Sequence, residues 1–309
     1  MSIRKSLQGS ILFMAVIPVI LMAILAYVVT VTKYTNITKE NTTQTAQDYS
    51  RGLVSQLQTQ IVEAQALADT NNVKSYLLEK VNSPDTILNS DSVNAIKDSI
   101  VQLSKNFDYQ ANYYIYDIDG YLTLSSSDSS APDWSEIMKE PIDSYEKVTL
   151  IAQSEFKKDT LDIIVPVIVK KNVIGLIRAN ISADYFHAFL SNKDTTCFLV
   201  NDNGQCLFDY HAESKADEQF LEYLNNSVLP DTQTDKNASF SNLSDTYTGN
   251  KDYIYGYATI PEYNWIYVTR QTTSNLATIV STLPFVFLIL LAIVIILSVV
   301  LSRNLATKY

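Results

Sequence analysis

Apolar positions follow three rhythms along this chain. Near each end they run unbroken: residues 11–32 and 276–302 carry no charged side chain and are mostly aliphatic. A hydrocarbon layer about 30 Å thick takes roughly 20 helical residues to cross, so both runs are expected to be transmembrane helices. After the first run a helical rhythm continues through residues 33–70, where Val54, Leu57, Ile61, Ala64 and Ala68 recur at steps of 3 and 4. Such a seam predicts a stalk helix packed along one face. Asn71 and Asn72 interrupt it, and short helices are predicted over 73–80 and 92–106. From residue 111 the rhythm becomes extended. Segments 113–116, 121–124, 147–152, 161–169 and 173–181 read as strands, with one or two helical turns at 134–138 and a closing helix over 182–190 capped by Ser182.

That order then recurs in degraded form. The stretch 197–204 mirrors the first hairpin 84 residues later, setting Asn201 against Asp117 and Gly204 against Gly120. Segments 252–260 and 263–270 echo 162–169 and 173–179 at an offset near 90. Two similar modules are implied, and the short connections make their sheets antiparallel, an α+β arrangement. The expected organisation is a cytoplasmic N-terminus at 1–10, a first span at 11–32, a stalk at 33–70, a membrane-distal module at 71–190, a membrane-proximal module at 191–275, a second span at 276–302 and the start of a cytoplasmic linker at 303–309.

Charge sets the orientation. Arg4 and Lys5 precede the first run while Arg303 and Lys308 follow the second, so both termini are expected in the cytoplasm and the centre outside. Lys33 and Lys39 oppose this assignment, but long segments translocate largely regardless of charge. A cleaved signal peptide would have a shorter apolar region and a small-residue cleavage site, so the first run reads as an uncleaved anchor. All 33 acidic residues and 19 of the 23 basic ones lie in 33–275, a formal charge of −14. That acidity excludes nucleic acid as an expected partner and keeps an exposed domain soluble.

The only cysteines, Cys197 and Cys206, flank the turn Asn201-Asp202-Asn203-Gly204. If Val200 opposes Gln205, then Leu199 opposes Cys206, and Cys197 lies on the same face but diagonal to it. A disulfide then needs a bulge or register shift; two buried thiols are the alternative. No catalytic or metal-binding constellation stands out. Asp117-Ile118-Asp119-Gly120 lacks the remaining ligands of a calcium loop and reads as a turn, while His187 and His211 are isolated, so neither enzyme activity outside the membrane nor any metal or cofactor is expected. Pro18 and Pro284 lie inside the two runs, as kinks or as ordinary membrane-helix residues.

Three stretches carry a family resemblance: Tyr114-Ile115-Tyr116-Asp117-Ile118-Asp119-Gly120, then Ile164-Val165-Pro166-Val167 with Val173-Ile174-Gly175-Leu176-Ile177, then Tyr263-Asn264-Trp265-Ile266-Tyr267-Val268. In this order between two spans, the chain over 33–275 resembles the double Cache sensor region of bacterial chemoreceptors, sensor histidine kinases and membrane diguanylate cyclases. The resemblance implies a long helix spanning two PAS-like modules and a small extracellular ligand bound in the distal one. In members that bind amino acids, an Arg-x-Trp-Tyr stretch holds the carboxylate and an Asp at the end of the last distal strand holds the ammonium. Here those places read Pro132-Asp133-Trp134-Ser135 and Asn180, so a neutral or polar ligand other than a standard amino acid is expected.

The expected pocket is Trp134 with Tyr121, Ser126, Asp128, Tyr145 and Asn180, aromatic walls with a few polar groups, and Asp162 as a further polar contact. Ordinary core or surface placement is the alternative for each. The function expected is the sensing and membrane-spanning part of a dimeric signalling receptor, paired through stalk and spans, whose kinase, cyclase or chemotaxis output lies beyond residue 309. A membrane-anchored binding module without its own output is the second reading.

Overall fold

The computed structural model describes residues 3–82, 90–106, 111–127, 133–138, 140–154, 157–186, 191–192, 195–207, 214–232, 243–249 and 252–308. Helix α1 (Ile3–Ala68) is continuous for 66 residues through Pro18, about 100 Å at 1.5 Å per residue. The first apolar run and the stalk are therefore one element. Helices α2 (Asn71–Asn82) and α3 (Ser90–Asn106) follow. The distal sheet is built from β1 (Ala111–Asp117), β2 (Leu122–Ser125), β3 (Thr149–Ser154), β4 (Lys157–Val169) and β5 (Asn172–Ser182), and the short helix α4 (Trp134–Ile137) lies in the β2–β3 connection. The proximal sheet is built from β6 (Ser191–Asn192), β7 (Thr195–Val200), β8 (Ser244–Tyr247), β9 (Tyr253–Ile260) and β10 (Trp265–Thr272). Helix α5 (Lys215–Tyr223) continues through a π-helical turn, Leu224–Val228, into α6 (Leu229–Thr232), and α7 (Ser274–Lys308) closes the chain. Both α1 and α7 contain a segment long and apolar enough to cross a membrane.

The strand orders are β2-β1-β5-β4-β3 and β6-β7-β10-β9-β8, all antiparallel. The series β1-β5-β4-β3 matches β7-β10-β9-β8, which is the internal repeat in three dimensions. The architecture is α+β, as expected. Where 182–190 was read as a helix, a 3-10 turn, Ala183–Phe186, is found, and 187–190 lies outside the described residues. The helical lid α5 to α6 and the strand β8 were not anticipated; their stretches hold no sustained apolar alternation.

Each sheet has two buried faces. The back faces, with Tyr113, Ile115, Ile163 and Ile177 in the distal module and Cys197, Leu199 and Tyr267 in the proximal one, share a single apolar core with Leu53, Leu57, Ile61 and Ala64 of the stalk. Tyr113 donates its hydroxyl to Gln60 Oε1 at 3.0 Å, which ties the distal sheet to the stalk. The front faces form separate clusters under local covers, α4 and its flanks in one case and α5 in the other.

The cysteine hairpin departs from expectation. Asn201 N–H donates to Gln205 O, Val200 rather than Leu199 pairs with Cys206, and Leu207 N–H donates to Leu199 O. The turn is one residue longer than assumed. A one-residue slip moves a side chain to the opposite face, so Cys206 joins the front cluster with Val200 while Cys197 stays in the back core with Leu199. The possible Cys197–Cys206 disulfide is thus corrected: the two are not bridged and lie on opposite faces of the sheet. Burial pushes both thiols up, Cys206 to about 11.

Candidate functional site

On the front of the distal sheet, strand register brings three polar side chains together. Asp162 of β4 stands opposite Asn180 of β5, and Arg178, two residues earlier on β5, is diagonal to Asp162. Diagonal neighbours lie about 7–8 Å apart at the backbone, a gap an arginine side chain spans. Arg178 donates from Nε to Asp162 Oδ1 and from Nη2 to Oδ2, each at 2.9 Å, and Asn180 donates to Oδ1 at 2.6 Å. The pair is bidentate and deeply buried, with Arg178 4% exposed and Asp162 0%. Burial favours loss of the arginine proton, but Asp162 beside it holds the guanidinium charged. The Tyr114 ring covers the guanidinium at 5.5 Å.

Aromatic side chains close over this face. Trp134 is 2% exposed and meets Tyr116 and Tyr145 edge-on, with centroids 5.5 and 5.4 Å apart, a favoured aromatic geometry. Its indole N–H donates to Glu140 O at 2.9 Å and its backbone N–H to Gly120 O at 2.8 Å. Gly120 holds φ +89°, and a Cβ there would lie 3.1 Å from Trp134 Cβ, so the turn before β2 is shaped to seat the tryptophan. Ile137, Ile142, Ile164 and Leu176 complete the apolar lining. Burial pushes the Tyr116 hydroxyl up to about 12, against the opposing influence of Arg178.

Of the residues singled out from sequence, the structure gathers Trp134, Tyr145, Asp162 and Asn180 on one face. Tyr121 lies apart and 62% exposed. Ser126 ends the β2 hairpin, its hydroxyl accepting from Tyr113 N–H, and Asp128 lies outside the described residues. Arg178 was missed. Its role depends on register, and the one available signal was its place two residues before Asn180 on a predicted strand. The case against an amino-acid ligand rested on missing charges at 132 and 180. Since this face carries a cation and an anion at Arg178 and Asp162, that ground is removed.

The proximal module has a parallel device with a decisive difference. Arg270 lies on β10, the strand equivalent to β5, at the register position equivalent to Asn180 rather than Arg178. It donates from Nη1 to Asp217 Oδ2 at 2.6 Å and from Nη2 to Thr196 Oγ1 at 3.1 Å, and it stacks on Tyr253 at 4.9 Å. Tyr255 also donates to Asp217, at 2.7 Å. Asp217, however, belongs to the covering helix α5. The proximal ion pair therefore ties its cover to its sheet, whereas the distal pair lies wholly within its sheet.

By fold, the chain is of the double Cache type: a long helix followed by two antiparallel-sheet modules. Among solved structures it is similar to the sensor domain of the Vibrio cholerae histidine kinase DctB, with TM-score 0.50 and 13% identity over 80% of this chain and 98% of that one. It is likewise similar to the extracellular domain of vpHK1S-Z8, assigned as a histidine kinase, at TM-score 0.52 and 10% identity over 79% and 98% of the two chains. A domain from Vibrio parahaemolyticus assigned to the sensory box/GGDEF family gives 0.51 and 14%, over 77% and 98%. By sequence, no protein-family model and no curated protein matches.

Proposed function

We propose that this chain is the sensing and membrane-spanning portion of a transmembrane signalling receptor, not itself an enzyme. It binds a small extracellular molecule on the front face of the distal module, between the Asp162–Arg178–Asn180 cluster and the aromatic cover of Trp134 and Tyr145. The observation that carries this reading is the self-contained distal ion pair: it is made between two strands and takes no charge from the cover, whereas the proximal pair takes its aspartate from the covering helix. The two apolar runs, basic residues at both ends and an acidic centre support a two-span protein with cytoplasmic termini. The stalk supports a homodimer, and the output is a cytoplasmic kinase, cyclase or chemotaxis adaptor. Coupling is limited by how differently the ligand binds the two arrangements of the sensor.

A thermal-shift screen of the whole chain in detergent, against amino acids, organic acids, amines and nucleobases, tests the site. A ligand at 100 times its Kd stabilises the folded form by about 2.7 kcal/mol. The expected result is at least one hit whose shift disappears in both Trp134→Ala and Arg178→Met. A hit whose shift persists in both variants places the ligand elsewhere.

A further inference from the structure

The stalk does more than back the proximal sheet; it runs along one strand from end to end. The Thr42 carbonyl accepts from Thr269 Oγ1 at 3.0 Å, and the Thr42 hydroxyl meets Gln271 Oε1 at 2.9 Å. The Tyr49 ring lies 6.3 Å from that of Tyr267, and Gln58 Oε1 accepts from the Tyr263 hydroxyl at 3.5 Å. Helix numbers rise as strand numbers fall, so the two run antiparallel. The lengths agree as well: sixteen helical residues from 42 to 58 rise about 24 Å, and the extended residues from 271 to 265 cover about 20 Å, with Tyr263 in the turn just beyond.

The contact is closest at its membrane end. Thr42 is buried, as is Thr269, whose Cα partner on β9 is Gly256. A Cβ at Gly256 would lie 2.5 Å from the Thr42 carbonyl oxygen, so only glycine lets the helix backbone settle onto β9 at this level. Thr42 follows the first apolar run by ten residues of unbroken helix, and β10 passes into α7 across the single residue Thr273, whose N–H is tied to Asp252 O. The contact thus joins the root of one apolar run to the root of the other.

We infer that the proximal module is a staple that locks the second span to the first within one chain, so that a signal crosses the bilayer as movement of the pair as one body. Sliding the second span along the first by the 1–2 Å typical of helix shifts would pull Thr269 off the Thr42 carbonyl and drive β9 against the helix backbone at Gly256. This rests on the reading of the two runs as spans, but not on ligand binding.

The test uses the whole chain in phosphatidylcholine vesicles, with both native cysteines replaced by alanine. Spin labels at Met14→Cys and Arg303→Cys, near the cytoplasmic ends of α1 and α7, are diluted with unlabelled chain so that only distances within one chain register. The expected result is one narrow distance distribution, broadened or shifted both by Gly256→Ala and by the shape-conserving pair Thr42→Val with Thr269→Val. A broad distribution in the parent chain, or one unchanged in the valine pair, overturns the staple. Accessibility of the Met14 label to oxygen and to an aqueous nickel chelate reports separately on the span itself. A label open to the chelate would overturn the membrane reading and the staple with it.

Discussion

At the scale of single residues, two arginines, Arg178 buried and Arg270 half-buried, distinguish the modules. Both are bound by a buried aspartate, which comes from the neighbouring strand for Arg178 and from the covering helix for Arg270. For Asp217, burial pushes the carboxyl up, but hydrogen bonds from Tyr255 and Arg270 and the charge of Arg270 outweigh it and hold the group below its ordinary value. A carboxylate whose folded value is depressed gives its full stabilisation above the unfolded aspartate value, about 3.9, and loses it as pH falls through the folded value. Asp217→Asn should therefore cost about 3 kcal/mol near neutrality, since the half-buried Arg270 loses its counter-charge. That deficit should shrink as pH drops below about 4. Melting curves of parent and variant from pH 7 to 3 check this; a deficit constant across the range would mean that Asp217 acts by shape alone.

At the scale of elements, register carries most of the information. The hairpin around Asn201 differs from its expected form by one residue, and that is enough to put Cys197 and Cys206 on opposite faces of the sheet. Both thiols should accordingly resist maleimide in the folded protein and react with a stoichiometry of two once unfolded, with or without reductant beforehand, because no disulfide protects them. Mass spectrometry reads the count. Fewer than two labels on unfolding without reductant would show that the thiols pair. Register also explains the site: Trp134, Tyr145, Asp162 and Asn180 were legible as residue types suited to a pocket, but their convergence with Arg178 follows from Asp162 standing opposite Asn180. Tyr121 lies apart from that convergence. It sits in the turn ahead of β2, where the backbone directs it to solvent.

At the scale of the whole molecule, a helix about 100 Å long joins the first apolar run to the backs of both sheets. It offers the distal site and the second apolar run a common rigid reference. If the proposed topology holds, protease added to intact cells should cleave within 33–275 and leave both terminal tails whole, as immunoblots against tags at each end would show. Protection of the central segment until the envelope is opened would reverse the orientation. Because no ion pair ties the distal cover to its sheet, local opening should also begin there. The proximal cover stays pinned at Asp217.

The amino-acid sequence alone determined the two apolar runs, the helical seam of the stalk, the strands that repeat from module to module and their α+β order. Each of these is written in a local period of apolar positions or in the turn residues that end it. Tertiary structure decided what no period encodes: that Arg178 reaches diagonally to Asp162, that Arg270 takes its partner from a helix some fifty residues away, and that Gly256 opens room for a stalk carbonyl. These contacts depend on strand register, which shifts with a single turn residue. They depend equally on the close approach of segments more than two hundred residues apart, which no local pattern records.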